Sequence, residues 1–93
     1  MEYLFIQREG DKEAIACLLQ EYRELSKQTL VTEYNRAQNI GILGSHAQAQ
    51  RLVALHLAFK AIFKTSPIII ENQLIIRLSG AIALVNDNWV TKY

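Results

Sequence analysis

Residues 67–89 read PIIIENQLIIRLSGAIALVNDNW, and this stretch decides the fold because its apolar residues change from helical to alternating spacing. From Ile68 to Leu78 the even positions are almost all apolar, which is the period of a β-strand. The alternation continues through Glu71 and Asn72 without a change of register. The pattern therefore predicts one long strand over residues 68–78, not a hairpin at Glu71.

The dipeptide at residues 79–80, Ser-Gly, predicts a tight turn because glycine adopts a positive φ at little cost. A return strand then begins at Ala81 and pairs with the long strand. The sequence allows two interpretations of where this strand ends. It continues to Tyr93, or residues 86–87, Asn-Asp, form a second turn because both types tolerate left-handed backbone.

Two amphipathic helices precede Pro67. The first begins at Asp11, a favourable N-cap residue. Its apolar face consists of Ile15, Leu18, Leu19, Tyr22 and Leu25. The second begins at Ser45, where Gln48 completes a capping box, and ends near Lys64 because the residue before proline avoids helical geometry.

The second helix is apolar around most of its circumference. Its main face consists of Leu52, Leu55, Phe59, Ile62 and Phe63, and a ridge of small residues consists of Ala47, Ala54, Ala58 and Ala61. A helix of this kind is expected to be contacted on more than one side. The secondary structure of two segments is not decided by the sequence. Residues 30–34 are either a short helix or an irregular strand, and residues 1–7 are either a strand or an arm.

Together these elements predict an α+β fold in a single domain, residues 1–93, with the helices packed on one face of a curved antiparallel sheet. The ten basic and nine acidic residues are scattered, and the net charge is +1. No basic block suits the phosphates of a nucleic acid, and no apolar run is long enough for a membrane span. A single cysteine, and no signal-like pattern in residues 1–10, predict a cytoplasmic protein.

Four segments carry a resemblance to a known family: DKEAIACLLQEYREL (11–25), GSHAQAQRLVALHLAFKAIFKTSP (44–67), LSG (78–80) and AIALVNDNW (81–89). In order and spacing they resemble the nuclear transport factor 2-like superfamily, in particular its SnoaL-like branch. The resemblance implies a cone-shaped fold with a pocket between helices and sheet, and homodimers formed through the sheets. The family's enzymes are isomerases, cyclases, dehydratases and epoxide hydrolases. Its catalytic strand aspartate and tyrosine donor have no matching position here, so no catalytic residue is carried over.

Three polar residues are candidates for chemistry in such a pocket. His56 lies at the edge of the main helical face, where an imidazole would act as an acid or a base. Asp87 lies near Trp89, and an aromatic neighbour raises the pKa of a carboxyl group. Tyr34 would offer a phenolic donor. Each also has a simpler interpretation, as a half-buried core histidine, a turn residue and a core tyrosine.

No metal site or cofactor is expected. His46 and His56 are ten residues apart on one helix and point in different directions, so they cannot share a metal ion. Cys17 lies among glutamates, which raise the pKa of a thiol, and so is expected to be a poor nucleophile.

Two functions are carried forward. The first is a small binding or assembly domain that forms a homodimer through its sheet, with the last strand as an apolar edge at Trp89, Val90 and Tyr93, and that has a small apolar pocket. The alternative is an acid–base enzyme of the isomerase, cyclase or dehydratase type, acting on a small apolar molecule through His56, Asp87 and Tyr34. Whether the protein is an enzyme is left open by the sequence.

Overall fold

The computed structural model describes the backbone of residues 2–40, 45–72 and 75–92, and side chains from Phe5 onward within those ranges. In chain order its elements are β1 (Glu2–Leu4), α1 (Asp11–Arg23), α2 (Lys27–Ile40), α3 (His46–Phe63), β2 (Ile68–Glu71), β3 (Ile75–Leu78), β4 (Ile82–Val85) and β5 (Asn88–Thr91). The predicted α+β class is confirmed. The strands form two small antiparallel sheets, one with the order β1-β3-β2 and one made of β4 and β5.

The single strand predicted over residues 68–78 is wrong. The chain folds back on itself, so that β2 pairs antiparallel with β3 and Glu71 lies opposite Ile75. Asn72, just after β2, has a positive φ of 53°. The alternation did not reveal this turn because paired positions have the same parity: Ile68 lies opposite Leu78. Even-numbered side chains therefore face the same side on both arms, as they would on one long strand.

The predicted pairing across the Ser-Gly corner is also wrong. Gly80 has the expected positive φ of 84°, but residues 79–81 connect two different sheets. The reason is that β3 is already flanked on both sides, by β1 through the pair Tyr3–Ile76 and by β2 through the pair Ile70–Ile76. No free edge of β3 remains for β4. Of the two alternatives for the N-terminal segment, residues 2–4 form a strand.

The second turn left open by the sequence is present. β4 and β5 pair antiparallel, with Val85 opposite Asn88. The two residues between them, Asn86 and Asp87, have φ values of 52° and 66°. Positive φ at both central positions is the geometry of the two-residue turns that match the twist of a β-hairpin.

The first and last helices lie where the sequence predicts them, but their N-terminal caps differ from the predicted ones. α1 begins at Asp11, but Gly10 is its N-cap residue. α2 is a full helix, where the sequence left a short helix or a strand open. The predicted capping box is wrong: Ser45 makes no side-chain capping bond, and the Gln48 side chain donates to the carbonyl of Ala37 instead.

α3 is the centre of the core and is contacted by α1, α2 and β2, which confirms the expectation of contacts on several sides. Its main apolar face is buried except for Ile62, which is partly buried. Ala54 and Ala58 of the small-residue ridge are also buried, while Ala47 and Ala61 are exposed. Tyr34 of α2 meets the ring of Phe59 edge to face, at 5.8 Å between centroids. Among the described residues, no helix is long and apolar enough to cross a membrane.

Candidate functional site

An apolar groove of about 510 Å³ lies between α1, α3 and the three-stranded sheet. We refer to it as the α1–α3 groove. It is open to solvent. Its lining residues are Phe5, Gln7, Lys12, Ile15, Ala16, Leu19, Val53, His56, Leu57, Ile70 and Ile76. Its volume lies within the range of about 300–1,000 Å³ that is typical of small-molecule sites.

The groove follows from the shapes of the side chains that α1 and α3 present to each other. On α1, Ile15 and Leu19 are only partly buried, and Ala16 between them is too small to fill the space. On α3, Val53 and Leu57 lie outside the main buried face and form the opposite wall. The sheet residue Ile76 is fully buried. These surfaces make the groove mostly hydrocarbon, with few polar groups.

His56 is the polar group whose position in the groove is best defined. Its Nδ1 lies 2.9 Å from the carbonyl oxygen of Ile68 and 3.0 Å from Oγ of Ser66. Because a carbonyl oxygen only accepts hydrogen bonds, Nδ1 must carry the proton. In the neutral ring Nε2 is then an acceptor, and no described residue donates to it.

Burial lowers the pKa of His56 below its ordinary value of 6.5, and the positive charge of Lys60 acts in the same direction. The hydrogen bond to the Ile68 carbonyl opposes these effects but is weaker than burial. At neutral pH His56 is therefore an uncharged imidazole. It can accept a hydrogen bond or a proton at Nε2.

We expect the His56 ring to titrate with a midpoint below 6.5. The unfolded chain then takes up the proton more readily than the folded chain, so the contribution of neutral His56 to stability is complete above 6.5. That contribution is lost as the pH falls through 6.5 towards the folded value. The measurement is an NMR titration of the imidazole, together with urea unfolding of the wild type and His56→Gln at about pH 7.5 and about pH 5.5. The wild type should lose more stability than the variant, and a midpoint at or above 6.5 would contradict the assignment.

The structure does not bring the three candidate residues together. His56 lines the groove, whereas Tyr34 and Asp87 do not. The Tyr34 hydroxyl donates to the carbonyl of Gly80 at 2.8 Å, and burial raises the pKa of Tyr34 to about 12. Asp87 is exposed in the β4–β5 turn, where its backbone carbonyl accepts a hydrogen bond from Lys27. Their simpler interpretations, a core tyrosine and a turn residue, describe these positions.

A second polar cluster, not anticipated from the sequence, surrounds the carboxylate of Asp11, which is only 1% exposed. It accepts hydrogen bonds from the backbone N–H of Arg8 and from Nε2 of Gln50, and it pairs with Nε2 of His46 at 2.7 Å. Burial acts to raise the pKa of Asp11, but these hydrogen bonds outweigh it and hold the pKa below 3.8. The His46 ring also stacks on Phe5. The cluster ties the start of α1 to the start of α3.

The cluster does not provide a metal site. Within the described part of the chain, no group of three or more histidine, cysteine, aspartate or glutamate side chains is placed to hold a metal ion. Cys17 is exposed on α1. No local sequence signal links Asp11 with His46, which are 35 positions apart, so this contact requires the packing of α1 against α3.

Lys12 is the charged side chain in the lining, and none of the described lining residues is an aspartate or a glutamate. No ion pair within the described residues involves Lys12. The groove thus combines a hydrocarbon lining, an uncharged acceptor at His56 and one positive charge. Comparison of the chain with protein-family models, with curated proteins and with solved structures found no match.

Proposed function

We propose that this protein is a small binding domain that holds an apolar molecule in the α1–α3 groove and associates with a second copy through a sheet edge. The observation that carries the first part is the placement of His56 in the wall of the groove: its Nδ1–H is held by the Ile68 carbonyl, which leaves Nε2 as an acceptor to which no described residue donates. A ligand that donates a hydrogen bond to Nε2 and packs an apolar body against the lining gains from both contacts.

The chemistry of the lining restricts the ligand further. The apolar surfaces of Ile15, Leu19 and Val53 favour a hydrocarbon body. Lys12 favours an acidic group over a basic one, because an ammonium group would meet an uncompensated positive charge. We therefore propose a small, mainly apolar acid as the ligand class.

Replacing Ala16 with tryptophan should abolish ligand binding and leave the fold intact. Ala16 lines the groove yet is exposed on α1, so a large ring at this position fills the space without entering the core. Cys17→Trp is the matched control, because Cys17 is the next residue of the same helix, is exposed and does not line the groove. The probe is decanoic acid, added to isotope-labelled protein and followed by backbone amide chemical shifts, with decylamine as the cationic comparison.

We expect decanoic acid to shift amides around the groove in the wild type and in Cys17→Trp, with decylamine at least about tenfold weaker. In Ala16→Trp these shifts should be absent at the same concentration. Shifts that are unchanged in Ala16→Trp would overturn the groove as the site. Equal binding of the acid and the amine would overturn the role of Lys12.

The alternative, an acid–base enzyme acting on a small apolar molecule, is supported by His56 alone of the three candidate residues. A neutral imidazole with a lowered pKa suits a general base. The kinship with the nuclear transport factor 2-like superfamily, its cone-shaped fold and the cytoplasmic location stay predictions from the sequence. The resemblance depended partly on one long strand that pairs with the strand after it. The structure has two shorter strands there, β2 and β3, and β4 belongs to the other sheet.

A further inference from the structure

The edges of the two sheets differ in how their backbone groups are used. In the β4–β5 hairpin the N–H of Lys92 donates to the carbonyl of Ala81 at 2.9 Å, which makes these two residues a hydrogen-bonded pair. Such pairs alternate along an antiparallel ladder with pairs whose N–H and C=O point outward. The pairs Ile82–Thr91 and Leu84–Trp89 are therefore of the outward-facing kind.

At Ile82 the outer edge of β4 is covered by α2. The side-chain amide of Asn35 donates through Nδ2 to the carbonyl of Ile82 and accepts at Oδ1 from the N–H of Ile82, both at 2.8 Å. One side chain thus satisfies both outward groups of Ile82 in the way a neighbouring strand would. A second chain cannot pair there unless Asn35 is displaced.

At Ile68 the outer edge of β2 is covered in a similar way. The N–H of Ile68 donates to Oγ of Ser66 at 3.0 Å, and its carbonyl accepts from Nδ1 of His56 at 2.9 Å. Both outward groups of Ile68 are therefore occupied by side chains of its own chain. Such coverage is one of the ways in which proteins keep a sheet edge from pairing with another chain.

β5 has no comparable cover. Among the described residues, none makes a hydrogen bond to the backbone N–H or C=O of Trp89 or Thr91. Val90 lies between these two outward-facing residues, and its side chain is 43% exposed. Val85, on the same face of the hairpin, is 49% exposed. β5 is thus an open edge beside an exposed apolar face.

We infer that β5 pairs antiparallel with β5 of a second copy about a two-fold axis at Val90, an inference that rests on the proposed association of two copies. In this register Trp89 lies opposite Thr91 of the partner subunit, so the outward groups of both residues are satisfied reciprocally. Val90 lies directly opposite the partner's Val90, where side chains of an antiparallel pair are in contact. The product is a four-stranded sheet with the order β4-β5-β5-β4.

Two features favour a second copy over an unrelated peptide. The open groups are symmetric about Val90, and a two-fold interface requires a surface that is complementary to itself. In addition, the β4–β5 hairpin is a two-stranded sheet, which is marginal alone and gains from additional strands. Ile68 on β2 and Ile82 on β4 are covered by side chains of their own chain, whereas Trp89 and Thr91 of β5 are two consecutive outward-facing residues without such a cover.

The test is the oligomeric state in solution, measured by light scattering and sedimentation at micromolar concentrations. Thr91→Pro removes an outward N–H that the hairpin itself does not use, and proline is tolerated at edge positions of this kind. Thr91→Val is its control, because it keeps the N–H. Val90→Lys places two ammonium groups across the axis, and Val85→Lys is its control on the same face but on β4. Circular dichroism establishes that each variant is folded.

We expect a dimer in the wild type and in both controls, and a dissociation constant raised at least about tenfold in Thr91→Pro and Val90→Lys. High salt should partly restore the Val90→Lys dimer by screening the like charges. A wild-type monomer would overturn the association of copies and this inference together. A dimer that persists in folded Thr91→Pro and folded Val90→Lys would overturn the β5 edge alone, and neither result bears on the groove.

Discussion

Replacing Phe59 with alanine should lower the free energy of unfolding by about 3–5 kcal/mol, the usual cost of emptying the space of a buried aromatic ring. Phe59 is fully buried on α3 and stacks on Phe63 at 5.2 Å between ring centroids. Its ring also meets that of Tyr34, which donates its hydroxyl to Gly80. The cavity would therefore loosen contacts among α2, α3 and the connection to β4.

A loss of this size is a large part of the total stability of a domain, which is typically about 5–15 kcal/mol. The measurement is urea unfolding followed by circular dichroism. Leu57→Ala is the control, because Leu57 is on the same helix and is 41% exposed; it should lose less than about 1 kcal/mol. A comparable loss in both variants would contradict the placement of Phe59 at the centre of the core.

Replacing Asn35 with alanine should lower the free energy of unfolding by about 2–4 kcal/mol, because two buried backbone groups would lose their partners at about 1–3 kcal/mol each. Those groups are the N–H and C=O of Ile82, which is almost fully buried. The intrinsic helix preference of alanine opposes this loss by less than about 1 kcal/mol. The net effect is therefore expected to be destabilising.

Asn39→Ala is the matched control, since Asn39 is an exposed asparagine on the same helix. Its change in the free energy of unfolding should stay within about 0.5 kcal/mol. Amide hydrogen exchange at Ile82 gives a local readout and should accelerate in Asn35→Ala but not in Asn39→Ala. Unchanged exchange at Ile82 would show that Asn35 does not hold this edge.

Local periodicity accounted for the helices and for the presence of strands, but not for how the strands pair. The apolar stripe of α1 and the end of α3 before Pro67 are set by residues close in sequence. The fold-back after Glu71 preserves the parity of the alternation, so a long strand and a hairpin give the same pattern. The pairing of β1 with β3 joins residues near the two ends of the chain and has no local signal.

The sequence also predicted only part of the candidate site, because contacts between residues far apart in the chain leave no local signal. His56 was identified because it lies at the edge of the main helical face, where a pocket acid or base would be placed, and it does line the groove. Lys12 and Ala16 were not identified, since a lysine and an alanine on an exposed helix face carry no signal. They become part of a site only where α1 lies beside α3. Asn35 was missed because its partner, Ile82, is 47 positions away.

The pairing of β1 with β3 has a consequence for folding during translation. Translation delivers Glu2 long before its partner Arg77, which follows all three helices in the sequence. The helices between residues 11 and 63 can dock in the meantime, because their mutual contacts need nothing later in the sequence. The nascent polypeptide thus acquires its helical layer early, while β1 stays without a neighbouring strand until β3 has been synthesised.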